Sequence, residues 1–254
     1  MASRENVPPK QLAFDLPADP RYGREDFLVG PANEAAYALI EAWPNWPDTV
    51  CLLTGPPGSG KSHLASIWAT RSHAWTAQAS EITAATVPRF LANGALVVED
   101  LDRQPRDEAA LFHLLNVARE RASPMLLTAA TSVEALGLTT ADLRSRLRLA
   151  PGATILPPDD ALLRAVLVKL FVDRQLVVDL AIVEALALRI DRSLGRARDV
   201  VTALDRDALS RGRRITKPLA LAVLERLGFG TDETEDDESE DDESEDASRD
   251  RDVD

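Results

Sequence analysis

The chain has 254 residues, 45% of them hydrophobic, which is enough for one ordinary domain and a small one and excludes a large multidomain assembly. Its single cysteine, Cys51, excludes an internal disulfide, and the apolar setting "TVCLLTG" marks it as a core residue of a reducing compartment, which predicts the cytoplasm. The formal charge of −13 is not spread over the molecule: fifteen Asp/Glu and two Arg between Thr231 and Asp254 account for all of it, leaving 27 acidic and 27 basic residues in the first 230.

The first ten residues are polar and proline-bearing, without an apolar stretch of signal-peptide length. Nowhere do about 18 consecutive apolar residues occur, so neither secretion nor membrane insertion is expected. "QLAFDL" follows, with Leu12, Phe14 and Leu16 alternating. Alternation reads as an edge strand with one buried face, or as an extended peptide that fills a partner's pocket.

"REDFLVGPANEAAYALIEAW" leads into a helical pattern that Pro44 and Pro47 end, and Thr49 to Leu53 reads as a strand. A glycine-rich turn then opens the helix "KSHLASIWATRS", with Leu64, Ile67 and Trp68 at helical spacing. "GALVVEDLD", "PMLLTAATS" and "GATILPP" read as further short buried strands, separated by patterns such as the helical "DEAALFHLLNVARERA". Buried strands alternating with helices predict an α/β fold with a mostly parallel sheet covered on both faces.

From Asp159 the strands stop and three or four amphipathic helices follow. In "SRGRRITKP", Gly212 can end one helix and Thr216 can cap the next, with Pro218 in its first turn. The expected organisation is residues 1–22 as an N-terminal segment, 23–158 as an α/β nucleotide-binding domain, 159–230 as a helical lid domain and 231–254 as an acidic tail. The tail has almost no apolar residues to offset the entropy of ordering, so disorder is expected, serving solubility or repelling DNA from a basic surface.

"GPPGSGKS", comprising Gly55, Pro56, Pro57, Gly58, Ser59, Gly60, Lys61 and Ser62, fits the phosphate-loop pattern between a strand and a helix. Glycines let backbone N–H groups turn toward phosphate oxygens, Lys61 adds positive charge at the β and γ phosphates, and the Ser62 hydroxyl reaches Mg²⁺. The expected ligand is ADP or ATP with Mg²⁺. "LVVEDLD" supplies Glu99 and Asp100 at the end of a strand, where a metal-holding carboxylate is needed. Glu99 is one methylene longer than the usual aspartate, so Asp100 is a second candidate for metal binding and catalysis; Asp102 reads as a solvated turn residue. At the end of the next strand Ala129 and Ala130 offer no polar group to a γ-phosphate, leaving Thr128 or Thr131. Such a site is expected to hold nucleotide better than it turns it over.

"GPPGSGKSHL", with His63 after the loop serine, together with "DFLVGPANEAA" resembles the AAA+ domain of the bacterial replication initiators of the DnaA family, and most closely the short Hda-type homologues that inactivate the initiator. The resemblance spans about Asp26 to Leu227. It implies a five-stranded sheet with an all-helical lid, nucleotide between the two with His63 in its site, and adenine near Leu28 and Val29. It also implies that Arg146 in "DLRSRLRLAP" is an arginine finger acting in trans, and that Arg198 in "GRARDVVTALD" is the lid arginine, with Arg196 the next candidate.

In that group a glutamine-led segment binds the sliding clamp of DNA polymerase III, so the resemblance assigns Gln11, Leu12, Phe14 and Leu16 to clamp binding. The implied partners are DnaA and the β clamp, with DNA met indirectly through the clamp, a homo-oligomer possible and no membrane. The implied function is stimulation of hydrolysis of DnaA-bound ATP, with weak or no ATPase of the chain's own. The initiator continues past its lid into a helix-turn-helix domain, where this chain reads "LERLGFG" and turns acidic. It also spends extra helices on single-stranded DNA where the interval from Ser62 to Leu96 is short, so DNA reading and origin melting are not expected. A helicase loader of the DnaC group, or a P-loop ATPase driving remodelling, is the alternative. Trp43 and Trp46 in "EAWPNWPD" read as domain-edge packing or as an interaction surface.

Overall fold

A computed structural model describes residues 22–229. The "QLAFDL" segment, with Gln11, Leu12, Phe14 and Leu16, and the acidic stretch 231–254 lie outside the described residues.

Five strands form one parallel sheet: β1 (Val50–Thr54), β2 (Trp75–Gln78), β3 (Leu96–Glu99), β4 (Met125–Ala129) and β5 (Gly152–Thr154), in the order β2-β3-β4-β1-β5. The three central strands are near-continuous apolar runs because both their faces are covered. Cys51, Leu53, Val97 and Leu126 face one layer, while Val50, Leu52, Val98, Met125 and Leu127 face the other. Cys51 is fully buried, and burial pushes its thiol pKa up to about 12, so it is an inert core group.

The residue pattern reveals four of these strands and misses β2. "WTAQ" lies at the sheet edge with only Ala77 fully buried, so it needs no apolar run. At the opposite edge Gly152 lies so close to β1 that an added Cβ would fall 2.2 Å from the Leu52 carbonyl oxygen, and only glycine permits the pairing.

Helices α1 (Glu34–Glu41) and α2 (Lys61–Ser72) cover one face through Ile40, Leu64, Ile67 and Trp68. Trp46 stacks on Trp68 at 5.0 Å between ring centroids and Trp43 meets it edge-on at 6.3 Å, so these tryptophans pack the domain edge. The short α3 (Val87–Phe90), α4 (Glu108–Glu120) and α5 (Ala141–Leu149) cover the other face.

Four helices, α6 (Asp160–Asp173), α7 (Leu180–Ala187), α8 (Leu194–Arg211) and α9 (Lys217–Arg226), then close around their own core of Leu167, Phe171, Leu186, Val200, Leu204 and Leu224. Gly212 ends α8 in the left-handed region, as its place in the sequence requires. Thr216 sits at the N-cap of α9, but its hydroxyl makes no capping bond. Pro218 is the second helical residue and has no N–H, so one of the two donors a cap hydroxyl could reach is missing.

Among the contacts at which lid and sheet domain meet, Lys169 on α6 pairs with Asp26 at 2.7 Å, Leu162 of α6 packs on Gly30, and the Gly195 N–H at the start of α8 donates to the Gly58 carbonyl at 3.1 Å.

Helix α5 is aimed by Glu108, the first residue of α4. Its carboxylate accepts from the Thr140 N–H at 2.7 Å and from both the N–H and the hydroxyl of Thr139, at the N-terminus of α5. Burial opposes ionisation there, but the hydrogen bonds from Thr140 and Thr139 outweigh it and bring the pKa down to about 2. The stability this contributes is present above the ordinary carboxylate pKa near 4.5 and is lost as pH falls toward 2. Glu108→Gln should therefore cost about 1–3 kcal/mol at neutral pH and flatten the loss of stability below pH 4.5, read by denaturant titration across pH.

Candidate functional site

The turn from β1 into α2 is shaped by glycines with positive φ, 74° at Gly58 and 107° at Gly60. Gly58 is needed for a second reason. A Cβ there would lie 2.8 Å from both the Gly195 nitrogen and the Ser193 Oγ, so any side chain would push the start of α8 off the loop.

Lys61 opens α2 and is 8% exposed. Its ammonium donates to the carbonyls of Gly55 at 2.6 Å and Pro56 at 3.0 Å. Burial lowers its pKa, and the charges of Asp102, Asp100 and Glu99 at the end of β3 counter this in part. The loop lysine and the strand-end acids expected from the sequence are thus neighbours, although 38 residues separate Lys61 from Glu99.

The two candidate carboxylates are used differently. Glu99 shares with Ser62 the lining of a groove of about 580 Å³ between α2 and the β2 side of the sheet. Its Oε1 is buried there without a hydrogen-bond partner. Asp100 has left-handed backbone (φ 59°), and its carboxylate pairs with Arg103 at 3.1 Å. A carboxylate with an unpartnered oxygen and a serine that line one groove fit the oxygen chemistry of Mg²⁺, whose other ligands would come from phosphate and water. Among the described residues no cluster of three or more His, Cys, Asp or Glu offers an all-protein cage.

Of the two threonines left for a γ-phosphate, Thr128 is 1% exposed and its hydroxyl accepts the Asp100 N–H at 3.1 Å. It holds the end of β3, which leaves only Thr131, exposed on the loop after β4. Asp102, read from the sequence as a solvated turn residue, accepts the Ala130 N–H and ties the ends of β3 and β4 together. That role needs the sheet register, which no local pattern carries.

Leu28 and Val29 lie in the segment leading to α1, half-buried and exposed respectively. Asn33 holds this segment: its Oδ1 accepts the Gly30 N–H at 2.8 Å and its Nδ2 donates to the Leu28 carbonyl at 3.0 Å. At 2% exposure it is one of few buried polar residues, and the sequence reading missed it. An Asn just before a helical pattern is a turn-forming signal that could have found it.

His63 bridges the same region. Its Nε2 is 2.9 Å from the Gly23 carbonyl, and Tyr22 and Phe27 approach its ring edge-on. Burial lowers its pKa; the Gly23 carbonyl opposes this, while Arg198 adds to it. Arg198 is half-buried on α8. Arg196 turns away over the Phe229 ring, its Cζ 5.2 Å from the centroid. Of the two lid candidates, Arg198 is the one whose charge bears on His63.

The arginines of α5 also separate. Arg148 pairs with Glu134 at 3.1 Å, and Arg144 reaches the Leu138 carbonyl at 3.5 Å. Arg146 is exposed and, among the described residues, has no ion pair; its Cζ lies 6.0 Å from the centre of the Phe112 ring on α4.

No protein-family model matches the chain, and no curated protein matches it by sequence. Solved structures do match. Domain III of the replication initiation protein DnaA from Thermotoga maritima aligns with a TM-score of 0.73 at 18% identity, over 82% of this chain and 97% of that one. DnaA from Aquifex aeolicus with AMPPCP bound aligns at 0.62 and 17% identity, over 76% of this chain and 68% of that one. The Holliday junction branch migration motor RuvB of Thermotoga maritima aligns at 0.62 and 19% identity, over 78% of this chain and 70% of that one. The chain thus has the fold of DnaA domain III, a five-stranded parallel sheet followed by helices. Among the described residues, no helix is long and apolar enough to cross a membrane.

Lys61→Ala should weaken nucleotide binding at least about tenfold by loss of a charge-assisted contact, while the fold persists; titration with a fluorescent nucleotide analogue measures it.

Proposed function

We propose that this protein is a nucleotide-binding regulator of the replication initiator DnaA, supplying an arginine finger to DnaA-bound ATP. The observation that carries this reading is Arg146, an exposed cation that among the described residues has no ion pair and that stands between two arginines engaged with their own chain. A guanidinium kept free of carboxylates can meet a γ-phosphate in another subunit, where such fingers contribute about 10³ to 10⁵ in rate.

The chain's own site would hold ADP or ATP on the loop from Gly55 to Ser62, with Lys61 at the phosphates, Mg²⁺ on Ser62 and Glu99, adenine by Leu28 and Val29, and Arg198 approaching from the lid. The AMPPCP bound by DnaA from Aquifex aeolicus supports a nucleotide of this class. Weak intrinsic turnover follows from Thr128 being engaged with Asp100 and from Ala129 and Ala130 carrying no polar side chain. Gln11, Leu12, Phe14 and Leu16 would bind the β clamp as an extended peptide, bringing Arg146 to the initiator on replicating DNA. Replication itself would then end the ATP-bound state of DnaA and prevent reinitiation in the cytoplasm.

The test is hydrolysis of DnaA-bound ATP with clamp loaded on DNA. Wild type should accelerate it; Arg146→Ala should lose the acceleration at least about a hundredfold while still binding clamp, and alanines at Gln11, Leu12 and Phe14 should lose it through lost clamp binding. Full stimulation by Arg146→Ala refutes the finger. Substantial ATP turnover by this protein alone, without DnaA, favours a remodelling motor, the activity class that the likeness to RuvB suggests.

A further inference from the structure

Resting on the finger reading above, we infer that Phe112 is the positioning residue for Arg146. Phe112 is half-buried on α4 and packs against the main core, so its ring is a fixed surface. The α4–α5 junction is itself locked by Glu108 on Thr139 and Thr140. Arg146 lies over that ring at 6.0 Å, the outer limit at which the ring quadrupole attracts a cation.

The chemistry suits a finger. An exposed arginine on a mobile stem loses rotamer freedom when it engages a phosphate, and a platform that narrows its rotamers beforehand removes part of that loss. A carboxylate would hold the guanidinium more strongly, as Glu134 holds Arg148, but it would satisfy the donors and compete with the phosphate. An aromatic face attracts the charge while leaving all five N–H donors available. Phe112 thus orients the cation without neutralising it.

Phe112→Leu keeps the packing and removes the quadrupole. Two measurements follow. In the DnaA-ATP hydrolysis assay the maximal rate at saturating regulator should fall about two- to fivefold with an unchanged half-saturating concentration. Phe112→Trp should restore it, and Phe112→Leu should have no further effect in an Arg146→Ala background.

Independently of activity, the Arg146 side-chain proton signals should show a ring-current shift in wild type and Phe112→Trp that Phe112→Leu loses, with faster Nε–Hε relaxation in the leucine variant. A wild-type maximal rate for Phe112→Leu, an equal loss in the Arg146→Ala background, or identical Arg146 signals in wild type and Phe112→Leu overturns the inference. Arg146 signals that respond to Phe112 while Arg146→Ala stimulates normally would overturn the finger reading instead and reduce the ring to a packing contact.

Discussion

A lysine that is 8% exposed must have its charge met from within the protein, and the arrangement around Lys61 follows from that constraint. Two loop carbonyls take its protons, and three acids at the end of β3 lie near enough to offset part of the burial. This geometry needs β1 and β3 to run parallel with their C-terminal ends at one level, which the register of both strands against β4 provides. It also needs a loop with no side chain at Gly58, and the same absence admits the start of α8. The phosphate loop and the lid contact are two uses of one steric vacancy.

Polar groups at the sheet's end divide into those engaged and those left over. Thr128, Asp100 and Asp102 are spent on the Asp100 N–H, Arg103 and the Ala130 N–H, which fixes the loops after β3 and β4. Glu99 and Ser62 line one groove, and the buried Oε1 of Glu99 has no hydrogen-bond partner among the described residues. Buried polar atoms are paired almost everywhere in proteins, so an unpaired one beside a phosphate-type loop marks where a ligand would be met.

The basic side chains divide in the same way. Arg148 and Lys169 hold their own chain together through Glu134 and Asp26, and Arg196 covers Phe229. Among the described residues Arg146 has no ion pair and lies over the Phe112 ring, and Arg198 is half-buried on α8.

Much of this was legible in the chain. Glycine spacing before Lys61 and Ser62 located the loop, the apolar runs at Val50, Leu96 and Met125 located the buried strands, and Gly212 located a helix end, because each is a short-range consequence of backbone freedom or burial. Tertiary structure decided the rest. Edge strand β2 carries little apolar signal, the bond of Asp102 to the Ala130 N–H depends on chain segments brought together by folding, and the Thr216 hydroxyl makes no cap where Pro218 removes one of its two possible donors. Which of Glu99 and Asp100, of Arg198 and Arg196, and of Arg146 and its two neighbours finds a partner within the described residues is also set by the tertiary structure. Local sequence determines which groups are available, but pairing across distant segments determines which of them remain free to act.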